Sequence, residues 1–173
     1  QAEHDASSQS VLITDDVAFA DAVVRAVDAE LKTMPRAEIA AASWRGNGAV
    51  ILVPDLAASA PIVDAIAAEH VELAMEPGPA QLLAQEIRHA GAIFLGNYSP
   101  VALGDYAAGP SHVLPTAGTA RWASGLSANQ FLRTSSVIQY SAEALAATAP
   151  DVMRMADVEG LTAFLLAVER GPM

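Results

Sequence analysis

The chain has 173 residues, 53% hydrophobic and 17% charged, with a formal net charge of −11 and no cysteine. That size and balance suit one compact domain with a small appendage, and the acidity argues against nucleic acid or an anionic membrane surface as partner. Without thiols, disulfides and thiolate metal sites are excluded, so a metal here needs imidazole, carboxylate or amide oxygen ligands. The longest apolar runs, 48–54 and 90–96, are closed by Gly or Pro far short of the roughly 20 residues of a membrane span. The polar, acidic start lacks the basic-then-apolar order of a secretory leader, and cytoplasm is the expected location.

Short β-rich runs alternate with segments of helical period, which predicts an α/β fold with a Rossmann-like, mostly parallel sheet flanked by helices. Residues 10–14 (SVLIT) form the first expected strand. A helix follows from a cap at Asp15 or Asp16, with Val17, Ala20, Val24, Val27 and Leu31 along one stripe. A second helix is expected from Pro35 to the glycines of RGNG, then a fully buried strand at 49–53. The pattern continues with helix 55–68, strand 70–75, helix 79–89 and strand 91–96. From 97 to 126 Gly and Pro are frequent and periodicity disappears, and a stretch that long without regular structure is more often functional than idle. A short helix near 127–133, a last strand at 135–140 and two tail helices over 141–170, broken near Ala156, complete the reading. The expected domains are 1–140, Rossmann-like, and 141–173, a helical tail.

Candidate chemistry gathers around the histidines at 4, 70, 89 and 112. A lone histidine is most often a surface or hydrogen-bonded core residue, and His89 beside Arg88 at a helix end needs no other role. Gln1 and His4 stand three apart in QAEHD, a spacing that on a helix puts both on one face within reach of one ion. Glu69 and His70 are adjacent at a helix-to-strand transition, where an acid and an imidazole can handle protons separately. Asp105 and His112 lie in the irregular stretch among Gly104, Gly109 and Pro110.

Together these motifs carry a resemblance. QAEHD, the Glu69-His70 pair, AGAIFLGNYSPVALGDYAAGPSHVLPTAGTAR and EGLTA occur in the order and with nearly the spacing of histidinol dehydrogenase, from Gln1 to about Arg170. GDYAAGPSHVLPT is the most specific block. The resemblance implies the C-terminal part of a longer, cytoplasmic enzyme of histidine biosynthesis, which oxidises L-histidinol to L-histidine with two NAD. It implies zinc on Gln1, His4 and Asp105, and acid–base work by Glu69 and His70. It also implies substrate contacts from Gln1, His4, His70, Asp105 and Glu159, and weakly from His112, in a homodimer that exchanges its tails. Two positions depart from the family pattern: Phe164 stands where the fourth zinc ligand, a His, is expected, and Ala68 replaces the Pro before the Glu-His pair. A benzyl ring cannot ligate zinc. No Gly-rich phosphate loop appears in the chain, so the NAD site is expected upstream and the isolated chain is expected to be inactive. Two alternatives stand beside this reading: a paralogue oxidising another small polar alcohol, and a non-catalytic dimerising domain of the same fold.

Overall fold

The computed structural model describes residues 1–163, 167 and 168, and its contacts divide the chain into two units, Gln1–Gln130 and Phe131–Met173. The first unit is mixed α/β. Strand β1 (Val11–Thr14) leads into helix α1 (Val17–Glu30), whose cap Asp16 accepts a hydrogen bond from the Phe19 N–H at 3.0 Å. Helix α2 (Ala37–Asn47) then returns the chain to strand β2 (Ala49–Leu52), which pairs with β1 in parallel from Val11 opposite Ala49 to Thr14 opposite Leu52. A 3-10 turn (Leu56–Ser59) and helix α3 (Ala60–Ile66) precede strand β3 (His70–Leu73). Helix α4 (Pro77–Glu86) is the crossover to strand β4 (Ala92–Leu95), again parallel, with His70 opposite Ala92 and Glu72 opposite Phe94. Parallel neighbours need such crossovers, which explains the regular alternation of apolar runs and helical segments.

Burial follows the two-residue period of the strands. Val71 and Leu73 of β3 are buried with Ala60, Val63, Ala80, Leu83 and Ile87 of the flanking segments, and Ile93 of β4 packs against them. His70, Glu72, Ala92 and Phe94 therefore belong to the other face of the β3–β4 pair. A one-residue slip in register would exchange the two sets.

The amino-terminal segment is held down by side chains of α2 and the turn before it. The fully buried Ser43 donates its hydroxyl to the Ser8 carbonyl at 2.7 Å, Asn47 bonds the Ala6 carbonyl at 3.0 Å, and Arg36 bonds the His4 carbonyl at 3.2 Å. Arg121 ties the loop after the site back to the end of α3 through the Gly118 and Ala65 carbonyls.

Several local expectations are corrected. Strand β2 is half-buried, with Leu52 open to solvent, because an apolar run reports hydrophobicity and not what covers it. Residues 135–140 form no strand: Val137 and Ile138 are 94% and 80% exposed, and among the described residues no segment pairs with them in a ladder. Within 97–126 a helix α5 (Val101–Tyr106) is present, entered through Pro100. In the second unit, helix α6 (Ala142–Val158) runs through Ala156 and ends instead at Gly160, whose φ of 72° opens a Schellman closure: the Leu161 N–H reaches the Ala156 carbonyl and the Gly160 N–H that of Asp157.

Candidate functional site

The site is built where α3 hands over to β3. Ala67 takes a left-handed conformation at the end of α3, and the chain turns directly into Glu69 and His70. That backbone is clamped from the next crossover. The Gly91 N–H bonds the Ala68 carbonyl and the Ala92 N–H the Glu69 carbonyl, each at 2.9 Å. Gly91 is required there, because a Cβ would lie 2.5 Å from the Glu69 carbonyl oxygen.

His70, first residue of β3, faces away from the apolar core toward α5. Its Nε2 stands 3.9 Å from Asp105 Oδ1, with side-chain exposures of 14% and 30%. That separation is too long for a hydrogen bond. The Nε2 is buried and has no hydrogen-bond partner among the described residues. Buried polar atoms are rarely left so, since an unmade bond costs about 1 to 3 kcal/mol, and a nitrogen so placed leaves room for one hydrogen-bonding group to enter beside the carboxylate. The Phe94 ring lies against the imidazole, centroids 6.0 Å apart and planes at 37°.

The other expected residues are placed as follows. Glu69 is half-buried beside His70. Gln1 and His4 are exposed in an amino-terminal turn closed by the His4 N–H on the Gln1 carbonyl, and Gln1 borders a cleft formed with α1 and α2. His112 is exposed at a bend, and Glu159 is the exposed C-cap of α6. Phe164 lies outside the described residues. The structure thus brings His70 and Asp105 together, with Glu69 adjoining, but leaves His4 on its own turn.

Imidazole and carboxylate donors suit zinc. Among the described residues, however, no group of three or more His, Asp or Glu side chains is arranged to hold a metal ion. The described residues do not by themselves fit a zinc centre. The isolated chain is expected to bind zinc more weakly than about 1 μM, because two or three mixed ligands make an open site. Titration calorimetry checks this, and submicromolar binding would contradict it.

Sequence reasoning passed over two residues. Phe94 reads as one apolar residue in a strand, and only the register shows it on the face of His70. Asp64, a buried carboxylate inside the apolar helix α3, accepts the Arg88 and His89 N–H groups on Oδ1 at 2.7 and 2.8 Å and the Arg88 guanidinium on Oδ2 at 3.2 Å. Burial pushes its pKa up, but the His89 and Arg88 N–H groups, the Arg88 guanidinium and nearby His89 outweigh it and hold the carboxyl below its ordinary range. The signal available was a lone acid among buried positions.

The pattern of the family described as histidinol dehydrogenase matches residues 1–170. The chain belongs to the histidinol dehydrogenase family. It is 56% identical over 169 residues to the histidinol dehydrogenase of Rhodospirillum rubrum, covering 97% of this chain and 38% of that protein. The corresponding enzyme of Mesorhizobium japonicum is 52% identical over 163 residues, covering 94% of this chain and 37% of its own length. The crystal structure of histidinol dehydrogenase from Elizabethkingia anophelis superposes with a TM-score of 0.80 at 32% identity, over 97% of this chain and 38% of that one. The chain thus spans a little over a third of its relatives, matching their C-terminal part. Among the described residues no helix is long and apolar enough to cross a membrane.

Proposed function

We propose that the full-length protein is a cytoplasmic, homodimeric histidinol dehydrogenase that oxidises L-histidinol to L-histidine, with zinc and two NAD as cofactors. The observation that carries this reading is the buried, unpartnered Nε2 of His70 facing Asp105 on the side of β3 opposite the core. NAD supplies the acceptor for both hydrides, and its site lies outside the residues of this chain. His70 takes the hydroxyl proton at Nε2 as the first hydride leaves the alcohol carbon, which gives the aldehyde. Glu69 takes a proton from the water that adds to that aldehyde, the resulting hydrate anion loses the second hydride to give the carboxylic acid, and that acid releases its proton to solvent as the carboxylate. The isolated chain, without the nicotinamide site, is inactive in this reading.

Phe164, in place of the expected His, favours a second reading in which the parent is a paralogue acting on another small polar alcohol. In either case Glu69→Gln in the full-length protein is expected to slow carboxylate formation by about 10²- to 10⁴-fold, with the first oxidation less affected. Trapping the aldehyde with a hydrazine while following carboxylate release measures both steps. Unchanged carboxylate formation would remove Glu69 from the mechanism.

A further inference from the structure

The geometry points to Phe94 as a positioning residue for His70, acting from the space that Gly104 leaves empty; this rests on His70 being the proton acceptor. Among the described residues the His70 Nε2 has no hydrogen bond to orient the ring, which leaves packing to set its direction on that side. Phe94 supplies that packing, with its ring centroid 6.0 Å from the imidazole, inside the usual 4.5–7 Å range of interacting rings. Register places it on the correct face, because His70 pairs with Ala92 and Phe94 stands one pleat further along the adjacent strand. The ring is not spent on the apolar core, which lies on the side of Val71, Leu73 and Ile93.

The far edge of the same ring meets α5. A Cβ built on Gly104 would lie 2.7 Å from Phe94 Cζ and 2.8 Å from Cε1, closer than non-bonded carbons come. Only glycine lets α5 settle onto the ring at that point, and the next residue is Asp105. One aromatic ring thereby locates both partners, touching the imidazole on one side and the backbone step before the facing carboxylate on the other. The 3.9 Å gap between Nε2 and Oδ1 is set across this wedge.

The test is steady-state kinetics on the full-length enzyme with Phe94→Leu, Gly104→Ala, His70→Asn and the Phe94→Leu/His70→Asn double variant, each confirmed folded by its melting temperature. Phe94→Leu is expected to lower kcat by about 10- to 100-fold with KM within about 3-fold, the pattern of a misplaced reacting group. Gly104→Ala, which pushes on the ring from the far side, should reproduce that selectivity. In the His70→Asn background Phe94→Leu should cost less than about 2-fold more, because the ring acts through the imidazole. A kcat within about 3-fold of the parent for Phe94→Leu, or losses that multiply in the double variant, would overturn the proposal while leaving His70 in its role. Near-normal turnover of His70→Asn would instead overturn the reading beneath it. Should Phe94→Leu not fold, Phe94→Met serves as the flexible apolar replacement, with the same outcomes.

Discussion

His70→Asn in the full-length protein is expected to lower kcat/KM by about 10²- to 10⁴-fold, the usual loss when a positioned base is removed. The effect is expected to be large because the geometry offers no substitute. Asn retains a hydrogen-bonding side chain but has no basic nitrogen to accept a proton, and Asp105, 3.9 Å from Nε2 in the parent, sits on another element with a different approach. The backbone that carries His70 is fixed independently of its ring, by the Gly91 and Ala92 N–H bonds to Ala68 and Glu69. Little change in fold or melting temperature should therefore accompany the loss. A variant that turned over within about 3-fold of the parent would show that the orphan nitrogen is a packing accident.

Asp64→Ala is expected to destabilise the chain by about 1.5 to 3 kcal/mol in urea unfolding, because it leaves the Arg88 and His89 N–H groups without their charged acceptor. The guanidinium contributes little of this, since the Arg88 side chain is 79% exposed. Asp64→Asn, which keeps Oδ1 as acceptor for both N–H groups, should lose less than Ala. The pH dependence has a definite sign. The folded carboxyl titrates below its ordinary range, so the stabilisation is fully present above the unfolded value of about 4 and disappears as pH falls through the lower folded value. The gap between parent and Asp64→Ala should thus be constant from neutral pH to about 5 and close below about 4. A gap unchanged at pH 3 would show that the charge of Asp64 contributes nothing, and equal loss in Ala and Asn would show that the charge, rather than the Oδ1 acceptor, carries the effect.

Much of this was readable in the chain, for physical reasons. The strands at Val11–Thr14, Ala49–Leu52, His70–Leu73 and Ala92–Leu95 are short apolar runs between turn residues, and the helical segments between them supply the crossovers that parallel pairing needs. The Glu69-His70 pair and Asp105 were visible as motifs. What stayed hidden depends on partners distant in sequence. Val137 and Ile138 have strand-forming side chains, but a strand exists only where another strand receives it. Helix α5 was masked by Pro100 before it and Gly104 within it, and that glycine is explained by the closeness of Phe94 rather than by local propensity. Asp64 takes its bonds from backbone 24 and 25 residues away, which leaves no local spacing to detect. The break expected near Ala156 moved to Gly160 because alanine continues a helix, whereas a left-handed glycine closes it.

The most direct measurement is the stoichiometry and product of the full-length enzyme given L-histidinol and NAD. Two NADH for each histidinol consumed are expected, with L-histidine as the identified carboxylate and a kcat/KM well above those for other small amino alcohols. One NADH per alcohol with the aldehyde as end product, or no turnover of histidinol beside rapid turnover of a different polar alcohol, would contradict it.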